Sequence, residues 1–242
     1  MKGIYRLADV TVEFDTVYSE VHTMCRDYVA KPTADMLHIH TTEEDIDRED
    51  DGDGFPRPYL ETLAVYRKMA TILPSLGGML MHGSVIAVDG EGYMFTANSG
   101  TGKSTHVRLW REKFGNRAVM VNDDKPLLRI KNENLKTKSP IIYGTPWDGK
   151  HHLSTNISVP LKAICILERG EQNEITPLTL DEAFPMLWQQ TFHNHEREHT
   201  QMTLRLMKEM SKTVRFYRLK CNMNPEAADV AYGGMKLDEN DI

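Results

Sequence analysis

The stretch ANSGTGKS, residues 97–104, places small and polar residues directly before a lysine and a serine. It fits the phosphate-loop template G-x-x-x-x-G-K-[ST] at every fixed position except the first, where Ala97 replaces glycine. In such a loop, backbone N–H groups surround phosphate oxygens, the lysine neutralises the β- and γ-phosphates, and the hydroxyl ligates magnesium. We therefore expect ATP and Mg²⁺ as ligands. The predicted nucleotide contacts are Asn98, Ser99, Gly100, Thr101, Gly102, Lys103, Ser104 and Thr105.

Two adjacent carboxylates, Asp123 and Asp124, follow about twenty residues later at the end of the apolar run AVMVN. Successive residues at a strand end point in different directions, so one acid can face a metal and the other a substrate. One acid suffices to hold magnesium for hydrolysis, whereas a second invites a base for an incoming hydroxyl. The alternative is a pair of solvated turn acids before Pro126.

Two further segments carry candidate chemistry. The loop GTPWDGKHH, residues 144–152, concentrates reactive and rigid side chains, and Trp147, Lys150 and His151 are its candidate substrate contacts. The alternative is a surface turn anchored by Trp147. Arg169 ends the apolar run LKAICILER, where a cation can offset transition-state charge; a surface pair with Glu168 is equally compatible with the sequence.

The segment HEREH, residues 195–199, matches the zinc-hydrolase pattern H-E-x-x-H, in which two histidines one helical turn apart bind the metal. Its internal Arg197 and Glu198 are charged where a buried protease helix usually carries apolar residues. We therefore expect a histidine cluster at a helix start and no zinc site, and the role of His193, His195 and His199 stays open.

The segment EEDIDREDDGD, residues 43–53, carries eight acids against one arginine, and self-repulsion predicts a solvated loop. Read from Asp47, it resembles a calcium loop through position six, Gly52. Pro58, however, occupies position twelve, where a bidentate glutamate is needed. We expect an acidic surface loop.

Apolar spacing predicts the elements that position these residues. Strand patterns occur in GIYRLADVTVEF, DMLHIHT, both halves of MLMHGSVIAVDGEGYMFTA, RAVMVNDD, KPLLRIK, LKTK, PIIYG, LKAICILER and RFYRLKC. Helical spacing occurs in YLETLAVYRKMATIL, STHVRLWREKF, LDEAFPMLWQQTF and REHTQMTLRLMKEMSKTV, and a last helix is expected from Pro225. The pattern indicates a small β-rich region with the acidic loop over residues 1–56 and a main domain over residues 57–242.

Composition narrows the class of protein. The 242 residues carry a formal net charge of -6 with scattered Lys and Arg, which does not favour nucleic acid as a partner. Three cysteines, Cys25, Cys165 and Cys221, lie too far apart in sequence to indicate a disulfide framework or a cysteine-pair zinc site. No signal peptide and no apolar run of about 18 residues is found, so we expect a cytoplasmic protein with no membrane partner.

The segment MHGSVIAVDGEGYMFTANSGTGKST, residues 81–105, followed by VNDD, resembles the catalytic domain of HPr kinase/phosphorylase. It resembles the nucleotide site of phosphoenolpyruvate carboxykinase more distantly. The resemblance implies an α/β fold of some α+β character with a mixed β-sheet and a P-loop. It also implies that His82 is an active-site histidine, Asp123 the base and Asp124 a metal ligand, and that residues 99–104 form the phosphate loop.

The chain departs from HPr kinase in three respects. Thr105 stands where glutamate usually follows the loop serine, no C-terminal signature is found, and the N-terminal portion is shorter. The resemblance is therefore nearest to HPr-kinase-like proteins associated with modified-peptide gene clusters, some of which phosphorylate a peptide serine.

The predicted function is an ATP- and Mg-dependent kinase for a hydroxyl acceptor, expected to be a serine of a peptide or protein. In this interpretation, Asp123, His82, Lys103 and Arg169 are the catalytic residues, and Ser104 and Asp124 hold the metal. The alternatives are a small-molecule hydroxyl kinase and a non-catalytic nucleotide-binding module. The sequence leaves the acceptor, the nucleotide base and homo-oligomer formation open.

Overall fold

The computed structural model describes residues 1–130 and 140–236. It opens with a three-stranded sheet. Strands β1 (Lys2–Leu7) and β2 (Val10–Asp15) form an antiparallel hairpin, and β3 (Leu37–His40) runs parallel to β2. The prediction of one continuous strand in GIYRLADVTVEF is wrong, because Ala8 and Asp9 both have positive φ angles, 48° and 60°, and reverse the chain. The predicted strand in DMLHIHT is confirmed.

The acidic segment is not a solvated loop throughout. Residues Glu43–Asp47 form the short helix α2, which begins with a capping box between Thr42 and Asp45. Ile46 is fully buried on its inner face. Cations of the next helix pair with the acids, among them Lys68 with Asp45 at 2.6 Å and Arg67 with Glu49 at 2.5 Å. Neighbouring cations and one apolar anchor thus overcome the self-repulsion.

Helix α3 (Arg57–Ile72) connects the N-terminal region to the rest of the molecule, and α1 (Glu20–Met24) packs on it. Glu61 is a buried carboxylate of α3 with three hydrogen bonds. It accepts from the backbone N–H groups of Val17 and Tyr18, at 2.7 and 2.8 Å, and from the hydroxyl of Thr41. A buried charge is tolerated when it is hydrogen-bonded in this way. Glu61 therefore fixes the segment before α1 against α3.

The second sheet contains nine strands among the described residues, all within residues 78–221. They are β4 (Gly78–Leu80), β5 (Ser84–Val88), β6 (Glu91–Thr96), β7 (Ala118–Asn122), β8 (Leu127–Arg129), β9 (Ile141–Tyr143), β10 (Ser158–Arg169), β11 (Glu174–Leu178) and β12 (Arg215–Cys221). The strand order is β4-β8-β9-β10-β6-β5-β7, with β12 pairing with β10 and β11 pairing with β12. Strand β10 runs parallel to β6 and β12, and the other pairs are antiparallel.

Four helices follow within the second part of the chain: α4 (Lys103–Phe114), α5 (Leu180–Gln189), α6 (Arg197–Met210) and α7 (Glu226–Lys236). They cover both faces of the sheet. Alternate residues of β10 show this: Cys165 belongs to the core cluster that includes Trp110 of α4, and Ile164 belongs to the cluster that includes Leu187 of α5. Because helices cover both faces of the sheet, the sequence of β10 is a nearly continuous apolar run. The predicted α/β class with a mixed sheet is confirmed.

Most predicted elements are present within the described residues. Strand β11, in the segment EITPL, was not predicted, since its side chains lack an alternating apolar pattern. The predicted strand LKTK, residues 135–138, lies outside the described residues. The boundary between residues 56 and 57 stays a prediction. None of the helices in the described ranges combines the length and apolar character needed to cross a membrane.

Candidate functional site

The glycine-containing loop lies between β6 and α4, as the phosphate-loop template requires. Gly100 and Gly102 have φ angles of 76° and 124°, which glycine adopts without the penalty that a Cβ would add. Ala97 is buried and has no positive φ, so alanine fits the first template position without strain. The loop ends at the N-terminus of α4, where backbone N–H groups and the helix dipole favour an anion.

Lys103 is the first residue of α4 and is half-buried beneath the loop. Its Nζ donates a hydrogen bond to the carbonyl oxygen of Ala97 at 3.0 Å. Burial lowers the pKa of Lys103, and the negative charge of Asp124 partly opposes this effect. The loop lysine therefore lies close enough to Asp124 to interact with its charge. Ser104 is exposed on the first turn of α4.

Arg169 lies at the end of β10, and its guanidinium contacts the loop. Its Nη2 donates to the carbonyl oxygen of Gly100 at 2.5 Å, and its Nε lies 3.5 Å from that of Thr101. The alternative, a surface pair with Glu168, is not observed, because Glu168 pairs with Arg218 at 2.9 Å. In this structure Arg169 supports the loop backbone.

The two acids take different directions because of Asn122, a residue that the sequence interpretation did not single out. The side-chain oxygen of Asn122 accepts from the backbone N–H groups of Asp124 and Lys125, at 2.9 and 2.6 Å, forming a local turn. Its Nδ2 donates to the Thr145 hydroxyl at 3.0 Å and is 3.3 Å from the Trp147 carbonyl oxygen. The fully buried Asn122 thus joins the end of β7 to the loop 144–152. The position of Asn122 directly before the paired acids was the sequence signal that could have identified it.

Asp123 is buried, with 6% of its surface exposed. One carboxylate oxygen accepts from the backbone N–H of Gly149 at 2.5 Å. A Cβ at Gly149 would lie 2.8 Å from both carboxylate oxygens, so only glycine permits this close approach. Burial raises the pKa of Asp123, and the charges of Asp148 and Asp124 raise it further, against the Gly149 hydrogen bond and the charge of His151. A carboxylate with a raised pKa is a better proton acceptor.

Asp124 faces His82. His82 Nε2 lies 3.2 Å from Asp124 Oδ1, and Lys125 Nζ lies 3.4 Å from Oδ2. Burial alone raises the pKa of Asp124, but the hydrogen bond with His82 and the charge of Lys125 outweigh it, so the pKa is lowered. Asp124 is therefore ionised at neutral pH, and the two neighbouring acids differ in basicity.

Gln190, at the end of α5, completes the surroundings of His82 and was not predicted from the sequence. Its Oε1 lies 2.6 Å from His82 Nδ1, and its carbonyl oxygen accepts from the His82 backbone N–H at 2.6 Å. The two nitrogens of the ring therefore contact Gln190 on one side and Asp124 on the other, and these contacts hold the ring beside the acid pair.

The loop 144–152 lies against the acid pair and α3. Trp147 is buried, and its Nε1 donates to the carbonyl oxygen of Thr62 at 3.0 Å, so it anchors the loop as the alternative interpretation proposed. Lys150 and His151 are exposed, and the charge of His151 acts on Asp123. Of the three candidate substrate contacts, His151 is thus electrostatically linked to the acid pair.

A cavity of about 540 Å³ opens on the side of the acid pair next to α1 and α3. Asp124 and Lys125 form part of its wall, and Met24, Tyr59 and Trp147 provide apolar surface. Ser154 also lines it, and its hydroxyl is buried with no hydrogen-bond partner among the described residues. This volume lies in the range of small-molecule and side-chain pockets.

The HEREH segment does not place both histidines on a helix. Helix α6 begins at Arg197, so His195 and Glu196 precede it. His199 is buried, and its Nε2 lies 3.4 Å from the carbonyl oxygen of Ala70. Within residues 1–130 and 140–236, no group of three or more His, Cys, Asp or Glu side chains is arranged to hold a metal ion.

Comparisons with known proteins were made against families, curated proteins and solved structures. The family described as "SynChlorMet cassette protein ScmC" matches residues 60–227. No curated protein matches the chain. Among solved structures, the Hpr(Ser) kinase/phosphatase from Coxiella burnetii is similar at 18% identity and a TM-score of 0.27; the alignment covers 41% of this chain and 63% of that chain. The chain thus spans less than two thirds of that protein. The predicted resemblance to proteins of modified-peptide gene clusters is confirmed at the level of a cassette family.

Proposed function

We propose that this chain, which belongs to the ScmC family of SynChlorMet cassette proteins, transfers the γ-phosphate of Mg-ATP to a hydroxyl acceptor. One observation carries the proposal. The lysine of a glycine-containing loop, at the N-terminus of α4, is in electrostatic contact with Asp124, and the more basic Asp123 stands next to it. A nucleotide-binding loop alone does not require such an acid pair.

On the nucleotide side, the loop backbone and Lys103 would hold the phosphates, and Arg169 keeps the loop in shape through its carbonyl contacts. The residues present fit magnesium: Asp124 is ionised, Ser104 is exposed at the helix start, and Mg²⁺ prefers oxygen ligands. When bound, the ion would neutralise phosphate charge. The oxygens of Asp124 that face His82 and Lys125 retain a second lone pair each for a metal.

On the acceptor side, Asp123 would take the proton of the attacking hydroxyl. The acceptor oxygen would form a bond to the γ-phosphorus while the bond from that phosphorus to the β–γ bridging oxygen breaks, releasing ADP. The hydroxyl proton would move to the Asp123 carboxylate, whose pKa is raised by burial. His82, held by its contacts with Gln190 and Asp124, would border the transferred group.

The acceptor would approach through the 540 Å³ cavity beside α1 and α3. Its wall includes Asp148 and Asp124, and Asp124 is the chain neighbour of the proposed base Asp123. Its apolar and aromatic surface suits a peptide side chain with its flanking groups. We therefore propose a serine of a peptide or protein as the acceptor, with a small hydroxyl compound of similar size as the alternative.

The first experiment tests nucleotide binding. We expect saturating Mg-ATP to raise the melting temperature of the wild type, because a ligand that binds only the folded state stabilises it. Lys103→Ala should lose most of the increase. Lys208→Ala, which removes an exposed lysine of α6, is the matched control and should behave as the wild type. Equal responses of all three proteins would contradict the proposal.

The second experiment tests transfer. The wild type and Asp123→Asn are incubated with γ-labelled ATP and libraries of serine peptides, proteins and hydroxyl metabolites. We expect label on an acceptor with the wild type and very little with the variant. Nucleotide binding without transfer to any class of acceptor would instead support a non-catalytic nucleotide-binding module.

A further inference from the structure

A second cavity, of about 480 Å³, lies on the other side of the phosphate loop from the acceptor cavity. It is bounded by the loop, by one face of α4, and by the segments that follow β10 and β12. Its lining includes Gly100, Thr105, Leu109, Leu167, Gly170 and Met223. The cavity is therefore continuous with the proposed phosphate site but separate from the acid pair.

The position of this second cavity at the edge of the sheet favours ligand binding. Strand β10 is parallel to both β6 and β12, and the three carboxyl ends meet at the loop 97–102, at Arg169 and at Cys221. In α/β sheets, ligands bind in the crevice outside the carboxyl ends of parallel strands. A nucleotide whose phosphates occupy the loop would extend its other end along this edge.

The walls suit a flat apolar group. Leu109 and Leu167 are core residues that border the cavity, and Met223 is 76% exposed at its rim, the most exposed of the large hydrophobic side chains in the described residues. A thioether side chain adapts its shape and makes favourable contacts with aromatic rings. The polar rim residues are already engaged: Arg169 binds loop carbonyl oxygens, and Asn222 Nδ2 donates to the carbonyl oxygen of Glu171 at 2.8 Å.

His106 supplies an independent indication of a ligand. It lines the cavity, yet 97% of its surface is buried against protein, since its relative exposure is 3%. Its Nε2 accepts from Trp110 Nε1 at 3.0 Å. Because Nε2 accepts this hydrogen bond, the ring hydrogen lies on Nδ1. That Nδ1–H is buried without a hydrogen-bond partner among the described residues, and an unmade buried hydrogen bond is costly.

We propose that this cavity binds the ribose and base of the nucleotide, with the base against Leu109, Leu167 and Met223 and a nucleoside oxygen or nitrogen accepting from His106 Nδ1–H. The inference rests on the proposed nucleotide function, because it assumes that the phosphates occupy the loop 97–102. It assigns the nucleoside contacts to residues outside the phosphate-loop motif.

Inorganic tripolyphosphate separates the two parts of the ligand, because it carries phosphates but no nucleoside. Binding of Mg-ATP and of Mg-tripolyphosphate is measured by calorimetry for the wild type, Met223→Asp and Val119→Asp. Val119 is the matched control, an exposed apolar residue (40% exposed) that lines neither cavity. We expect Met223→Asp to weaken ATP binding about 10-fold, the order expected from losing one apolar contact surface. Tripolyphosphate binding should stay within about 2-fold of the wild type, a change below 0.5 kcal/mol.

A second variant, His106→Phe, tests the orphan donor and should also weaken ATP more than tripolyphosphate. Its folding is checked by thermal unfolding, and Met223→Asp, at an exposed position, keeps the test valid if His106→Phe is unstable. The inference is overturned if Met223→Asp weakens both ligands equally or neither. Failure of the proposed function looks different: neither ligand binds the wild type, or Lys103→Ala binds both normally.

Discussion

His82 Nε2 lies 3.2 Å from Asp124 Oδ1, and this contact joins a residue before β5 to the acid pair after β7. The opposite nitrogen of the ring lies 2.6 Å from Gln190 Oε1. Gln190 therefore acts on the site through His82, as a positioning residue. Its amide fixes the ring orientation, and so directs Nε2 at Asp124.

We predict that Gln190→Leu lowers the transfer rate about 10- to 100-fold, because a buried polar group that loses its hydrogen-bond partner costs about 1–3 kcal/mol. Gln190→Glu keeps an oxygen within hydrogen-bond distance of Nδ1, so it should restore most of the rate. Gln189→Leu, at the exposed neighbouring position, is the control and should leave the rate unchanged. A Gln190→Leu enzyme with normal rate and pH profile would argue against a positioning role.

Substitutions of the two neighbouring acids should have different effects, one on the transfer rate and one on nucleotide binding. Asp123→Asn keeps the shape of the side chain but not its basicity, so nucleotide binding should survive while transfer falls about 100- to 10,000-fold. Asp124→Asn should instead weaken Mg-dependent nucleotide binding, because Mg²⁺ favours charged oxygen ligands. Calorimetry with Mg-ATP and transfer of labelled phosphate measure the two effects, with Asp181→Asn as an exposed control. If transfer is unaffected by both substitutions, the assignment of the pair is wrong.

The same substitutions should change stability in opposite directions. The pKa of Asp123 is raised by burial, so the folded state binds its proton more tightly than the unfolded state does, and stability falls as pH rises from the unfolded pKa through the folded one. At pH 7, Asp123→Asn should therefore increase the free energy of unfolding.

The pKa of Asp124 is lowered by His82 and Lys125 against the effect of burial, so its charge stabilises the folded state above the unfolded pKa. Asp124→Asn should decrease the free energy of unfolding at pH 7. Urea unfolding of both variants is compared with the wild type at pH 7 and again below the ordinary aspartate pKa of about 3.9. The difference in free energy of unfolding between Asp123→Asn and the wild type should shrink at the lower pH. The difference between Asp124→Asn and the wild type should shrink as the pH falls through the lowered pKa of Asp124. Differences of the same sign at pH 7 would contradict the assignment.

The HEREH segment should not hold zinc. His195 precedes α6 and is exposed, whereas His199 is buried beneath α3 residues, so His195→Ala should leave stability unchanged. His199→Ala should cost about 1–3 kcal/mol, the usual range for truncating a buried side chain. Elemental analysis of protein purified without chelator is the direct measurement. One zinc per chain, lost when both histidines are replaced, would overturn the prediction.

Local patterns identified the loop and the acids, because phosphate binding needs small residues, a lysine and a helix start in consecutive positions. Local patterns also identified the helices and β10, because the spacing of their apolar residues reflects burial on one or both faces. The N-terminal hairpin and α2 were not predicted. The hairpin depends on two positive φ angles at Ala8 and Asp9, and α2 is stabilised by cations of α3 that lie about twenty residues away in sequence.

The sequence by itself determined the loop with Lys103 and the presence of two acids at a strand end, since each is encoded within a few consecutive residues, and its resemblance to a known family implied the α/β class. Only the tertiary structure decided what surrounds them. Gln190 reaches His82 across 108 positions of sequence, and Gly149 reaches Asp123 across 26. These contacts, together with burial, set the different basicity of Asp123 and Asp124. Burial and long-range hydrogen bonds depend on the packing of distant segments, which no local pattern specifies.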